Sequence, residues 1–181
     1  MDTETLHTGA DLLRLSRPGY ELVRGRLVEV TPPGGEHGEI ASNVVLVLKS
    51  YVRGRDIGKV VVESGFYLER DPDTVRAPDI SFYSRGRIAR DGLSRGYLEV
   101  PPDLAVEIVS PHDRSEDVEQ RVHEFFSAGV RRVWVLYPRT RTLHVFQSEA
   151  RVEVLDQESL LADPELLPGL EVRVADFFVQ D

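Results

Sequence analysis

The chain contains no cysteine, which excludes disulfides and thiolate metal sites. It has no apolar run near the ~18 residues of a membrane-spanning helix, and the stretch at 44–48 is broken by Lys49. Its first residues, Met1-Asp2-Thr3-Glu4, are acidic and lack the basic-then-apolar pattern of a secretory signal. These absences lead to the expectation of a cytoplasmic protein with no membrane partner. Lysine is scarce: of 22 basic residues, only Lys49 and Lys59 are lysines. Net positive charge is absent too. At a formal −9 the global field repels a polyanion, so nucleic-acid contact would have to come from local patches.

What is present suits a globular α/β protein. The length of 181 residues fits one domain spanning 1–181, and a hydrophobic fraction of 41% is enough for an ordinary core. Basic residues gather at Arg24 and Arg26; at Arg53, Arg55 and Lys59; at Arg85, Arg87, Arg90 and Arg95; and at Arg131, Arg132, Arg139 and Arg141. Arginine suits phosphate forks, but a solvated surface is the simpler reading of these clusters.

Thr8 can cap a short helix over 8–15, with Pro18-Gly19 ending it. Residues 20–23 and 26–30 read as a hairpin around Arg24-Gly25. After the Pro32-Pro33-Gly34-Gly35 loop, Ile40, Val44, Val47, Leu48 and Tyr51 recur at helical spacing over 36–51. Strands are expected at 59–63, at 66–69, around Asp79 and at 103–109. A helix at 116–128 follows, capped by Ser115 and ended by Gly129, then strands at 132–137 and 142–146. Strand, helix and strand in that order make a parallel crossover unit. The tail through Phe177-Phe178 should pack back on the core, giving a single α/β domain around a mixed sheet.

Two carboxylates sit in apolar strand-like runs. Asp79 lies in Ala77-Pro78-Asp79-Ile80-Ser81-Phe82, and Glu107 in Asp103-Leu104-Ala105-Val106-Glu107-Ile108-Val109. A buried carboxylate is costly unless paired or metal-bound. Alternation places Leu104, Val106 and Ile108 on one face and Ala105, Glu107 and Val109 on the other. If the strands are neighbours, the two acids converge and suit Mg²⁺ or Mn²⁺. Arg121 flanks the stripe Val118, Val122, Phe125, Phe126 and Gly129, so it can reach the Glu107 strand; the alternative is a surface pair with Asp117. The corresponding alternatives for Asp79 and Glu107 are an edge acid facing solvent or an acid neutralised by a nearby arginine.

Several ordered segments resemble the Uma-two family of restriction-endonuclease-like proteins. They are Tyr20-Glu21-Leu22-Val23 through Glu29; Pro33 with His37-Gly38 and Ile40; Gly65-Phe66; Val75-Arg76-Ala77-Pro78-Asp79; Pro102-Asp103-Leu104 through Glu107 to Ser110-Pro111; and Ala128-Gly129-Val130 with Val133-Trp134. The resemblance runs from about Leu13 to Phe177. It implies a restriction-endonuclease-like mixed β-sheet core flanked by helices, with an N-terminal β-hairpin, in a branch of the PD-(D/E)XK nuclease superfamily. Pro78-Asp79 then stands as the PD element and Glu107 as the following acid. The superfamily lysine would fall at Val109. In this branch it appears on the following helix, where this chain carries Arg121, with Phe125 in place of a tyrosine.

The resemblance implies Asp79, Glu107 and the Ile108 carbonyl as metal ligands, with DNA as substrate and a homodimer as a common assembly. Arginine effectively cannot lose a proton, so Arg121 cannot serve as a base. It can hold a phosphate oxygen. His37, near a helix start where the helix field should lower its basicity, is a further candidate for water activation or substrate contact. Glu63 is a candidate third acid, with an exposed strand end as alternative. Glu21 recurs in the family with no derivable role. His112 is read as a loop residue, and His7, His123 and His144 have no partners at ligand spacing. A Mg²⁺-dependent nuclease is the first reading. A catalytically weak nuclease fold that binds nucleic acid or protein is the second, and a phosphodiesterase acting on a small nucleotide the third.

Overall fold

The computed structural model describes residues 6–15, 19–88 and 92–180. Pro18, Arg90 and the acidic start Met1-Asp2-Thr3-Glu4 lie outside the described residues. Helix α1 (Gly9–Arg14) starts from a capping box in which Thr8 and Asp11 exchange hydrogen bonds. Strands β1 (Tyr20–Val23) and β2 (Arg26–Glu29) pair antiparallel. Their two-residue turn places Arg24 at φ 48° and Gly25 at φ 76°, matching the right-handed twist of the hairpin. Helix α2 (Gly35–Val52) buries Ile40, Val44, Leu48 and Tyr51, the stripe that its sequence period implies.

Strands β3 (Gly58–Val62), β4 (Phe66–Glu69), β5 (Thr74–Arg76) and β6 (Ile80–Ser84) follow. At three residues, β5 is too short to show a period, and no strand was expected there. Strand β7 (Leu104–Ile108), helix α3 (Ser115–Ser127) and strand β8 (Arg132–Tyr137) form the expected unit, with β7 and β8 parallel. Ser115 is not the cap. It is the first helical residue, and Arg114 takes the cap position without a side-chain bond. Gly129, at φ 96°, ends the helix in the left-handed region.

Strands β9 (Thr142–Ser148) and β10 (Arg151–Leu155) extend the sheet antiparallel. A hairpin of β11 (Leu160–Asp163) and β12 (Leu167–Arg173) then leads into a 3₁₀ turn, Val174–Phe178.

Six strands form a mixed sheet in the order β10-β9-β8-β7-β6-β3, and β2-β1-β5-β4 form a second sheet. One face of the large sheet carries Ile80, Phe82, Leu104, Val106, Ile108 and Trp134 beneath α2 and the chain end. There Phe177 lies with its ring 6.4 Å from that of Trp134. The opposite face carries Tyr83, Ala105, Val133 and Val135 under Val122 and Phe125 of α3 and Phe66 of β4. The architecture is mixed α/β with an N-terminal hairpin. Among the described residues, no helix is long and apolar enough to cross a membrane.

Three of the clustered arginines hold the scaffold. Asp103, buried just before β7, accepts from the Ser84 amide at 2.7 Å, Arg87 at 3.0 Å and Arg131 at 3.4 Å. Arg132 meets Asp163 at 2.5 and 3.2 Å, tying β8 to β11. These pairs sit at the end of β7 opposite Glu107.

Candidate functional site

Strands β6 and β7 run antiparallel with Ile80 opposite Val106. The residue before Ile80 and the residue after Val106 therefore meet at one end of the sheet. They are Asp79 and Glu107. Asp79 lies in a bend one residue outside β6, not within the strand as expected. The physical reason is Pro78, which has no amide hydrogen to carry the ladder further. Asp79 Oδ2 accepts the Ile108 amide at 2.7 Å and lies 3.2 Å from His37 Nε2, so α2, β6 and β7 are joined at a single oxygen.

Alternation turns Glu107, with Ala105 and Val109, toward α3. There Arg121 Nη1 donates to Glu107 Oε2 at 3.2 Å, and Arg121 Nη2 lies 3.7 Å from Glu21 Oε2. The guanidinium thus turns inward to two acids, not outward to Asp117. Glu21 is almost fully buried. It accepts Arg76 Nη1 at 2.7 Å and the Ala77 amide at 3.1 Å, just ahead of Asp79. Arg76 is held from its other side by Glu124 of α3 at 2.8 Å. Arg76 and Glu124 went unnominated in the sequence, and Glu21 was singled out without a role. The signal was present for Glu21: it is an acid flanked by Tyr20 and Leu22 in an apolar strand, the argument already used for Glu107.

The other candidates are not brought in. The Glu63 amide donates to the Asp79 carbonyl at 3.1 Å, but its side chain is exposed. His112 is exposed as well. His123 pairs with Glu149 at 2.9 Å, and the His144 ring lies 4.4 Å from that of Tyr137.

Burial raises the Glu107 carboxyl well above the usual carboxylate range; Arg121 opposes this, while Asp79 and Glu21 add to it. Glu107 Oε1 is buried and has no hydrogen-bond partner among the described residues. His37 corrects an expectation. Its basicity is raised, chiefly by the hydrogen bond to Asp79, with burial opposing and the charges of Asp79 and Asp113 adding. A carboxylate at hydrogen-bond distance outweighs the helix field, which acts through partial charges only. Arg121 is held more firmly cationic, first by Glu107.

These directions fix a pH dependence for the metal-free protein. Glu107 binds its proton more tightly folded than unfolded, so stability falls as pH rises from about 4.5 through its raised folded value. His37 has the same sign: its contribution is present below about 6.5 and is lost as pH rises through its raised folded value. Thermal melts from pH 5 to 8 in chelator should show a falling melting temperature. Glu107→Gln should flatten the lower part of that slope and His37→Gln the upper part.

The donor set accommodates a hard cation. The β6–β7 register brings Asp79 and Glu107 to one sheet end, one oxygen of Glu107 lacks a hydrogen-bond partner among the described residues, and the Ile108 carbonyl belongs to the same sheet end. Among the described residues, no group of three or more His, Asp or Glu side chains stands ready as a full cage. Mg²⁺ fits that arrangement better than Ca²⁺ does, because it keeps several waters and takes one or two carboxylates.

Comparison with known proteins agrees with this architecture. The family Uma2, described as "Putative restriction endonuclease", matches residues 10–175. A crystal structure from Anabaena variabilis, described as "a putative nuclease belonging to DUF820", superposes with a TM-score of 0.80. It shares 25% sequence identity, and the superposition covers 94% of this chain and 97% of that one. No curated protein matches.

Proposed function

This chain belongs to the Uma2 family, described as "Putative restriction endonuclease", and from that premise we propose that it is a Mg²⁺- or Mn²⁺-dependent nuclease that hydrolyses DNA phosphodiester bonds in the cytoplasm. The observation that carries the proposal is the meeting of Asp79 and Glu107 at one sheet end, with Glu107 Oε1 buried and without a hydrogen-bond partner among the described residues. Asp79, Glu107 and the Ile108 carbonyl are the residues that would hold the ion. When bound, such an ion polarises the phosphate and supplies an activated water.

The chain's own residues do the rest. Asp79 is oriented by the Ile108 amide and by His37, so its free lone pairs point consistently. Arg121 holds a scissile-phosphate oxygen and offsets charge that develops in the transition state. It stays protonated throughout and takes no proton. His37, with raised basicity, is suited to donate a hydrogen bond to substrate more than to accept a proton from water. A homodimer would set two such sites against two strands.

A second reading, a disabled nuclease fold that binds nucleic acid or protein, is favoured by one observation. Arg121 already pairs with Glu107 at 3.2 Å, at the position where the family resemblance calls for lysine. Plasmid nicking decides between them. Wild type should nick in Mn²⁺ and stop in chelator. DNA binding without nicking in wild type, together with nicking by Arg121→Lys, would favour the disabled fold.

A further inference from the structure

We propose that Glu21 is the positioning residue that receives the Arg121 guanidinium when Glu107 takes up a divalent ion. The inference rests on the metal-dependent reading above. Arg121 stands between two carboxylates at similar range, Glu107 at 3.2 Å and Glu21 at 3.7 Å. It is a side chain with two berths. In the metal-free protein the nearer berth is Glu107, where the guanidinium stands in for the missing positive charge. An ion on Glu107 repels Arg121, and a displaced, half-buried cation without a partner is costly. Glu21 removes that penalty.

Glu21 is built for this role. It is anchored by the Ala77 amide and by Arg76, and only 5% of it is exposed, so it does not move to solvent. Its nearest cation among the described residues, Arg76 at 2.7 Å, is shared, because Arg76 also meets Glu124 at 2.8 Å. Half a cation leaves Glu21 with negative charge to spare for Arg121. The planar five-donor fork of arginine can turn from one acid to the other without moving α3. A lysine, with a single point of charge, could not straddle the two acids in this way. Glu21 therefore acts on the metal site through Arg121 and touches neither the ion nor the substrate.

The test is a double-mutant cycle read by Mn²⁺ calorimetry on the chelator-treated full chain. Glu21→Gln should weaken Mn²⁺ binding about ten-fold, as loss of an outer partner does. Arg121→Gln should tighten it about five-fold, because Glu107 no longer has a competing cation. In the Arg121→Gln background, Glu21→Gln should have no further effect, and Glu21→Asp should keep most of the wild-type affinity. A Glu21→Gln penalty of equal size in both backgrounds would overturn the inference, since it would show a structural role independent of Arg121. Unchanged or weaker binding by Arg121→Gln alone would overturn it too, even if Glu21→Gln does not fold. Wild type that takes up no Mn²⁺ would instead overturn the metal-dependent reading itself.

Discussion

Glu107→Ala is expected to abolish nicking, a fall of at least ~10³-fold, because the carboxylate argued to hold the ion is removed. The contrast with Glu107→Gln makes the result diagnostic. Glutamine keeps the volume and a hydrogen-bond acceptor for Arg121 but cannot ionise. Its nicking should fall as far as that of the alanine variant. Its metal-free stability should move the other way. The wild-type carboxyl is held well above its usual range by burial, so its ionisation at pH 8 opposes folding. Glu107→Gln should therefore melt at or above wild type at pH 8 in chelator, and lose any stabilisation by Mn²⁺. Gel assays and paired melts with and without Mn²⁺ measure both. Nicking by Glu107→Ala at the wild-type rate would place the chemistry elsewhere.

Arg76→Ala should cost about 3–5 kcal/mol, the range for breaking a buried pair by removing one partner. Arg76 lies between Glu21 at 2.7 Å and Glu124 at 2.8 Å, and its side chain is only 11% exposed. Its loss leaves two poorly solvated carboxylates facing each other near Glu107. It also unfastens β1 from α3 just ahead of Asp79, so nicking should fall together with stability. Arg76→Lys should recover only part of either, because one ammonium cannot fork to both acids. Denaturant unfolding gives the first quantity and plasmid nicking the second. A loss below 1 kcal/mol for Arg76→Ala would mean that water reaches this network freely.

The amount legible in advance differs from element to element. The α2 stripe, the hairpin turn at Arg24-Gly25, the end of α3 at Gly129 and the alternation along β7 rest on local periodicity and turn chemistry, and each has its expected place. The three-residue β5 is too short to carry a pattern. The Ser115 cap failed because a one-residue shift at a helix start leaves the apolar stripe unchanged. His37 shows a deeper limit. The helix start argued for lowered basicity, while its actual neighbour, Asp79, lies 42 residues away in sequence and reverses the sign.

The bare chain already excludes a thiolate site, places Asp79 and Glu107 as acids in apolar runs, and makes the cation on the following helix arginine and not lysine. These follow from composition and from the two-residue period of a strand. The three-dimensional fold is what brings the two acids to one sheet end, because strand pairing joins residues with no local relation between them. It also decided that Arg121 faces Glu107 and Glu21 instead of Asp117, and that Arg76 stands between Glu21 and Glu124. Electrostatic environment is set by distance and burial in three dimensions. A carboxylate's partners are therefore chosen by the fold, even where the sequence announces the carboxylate.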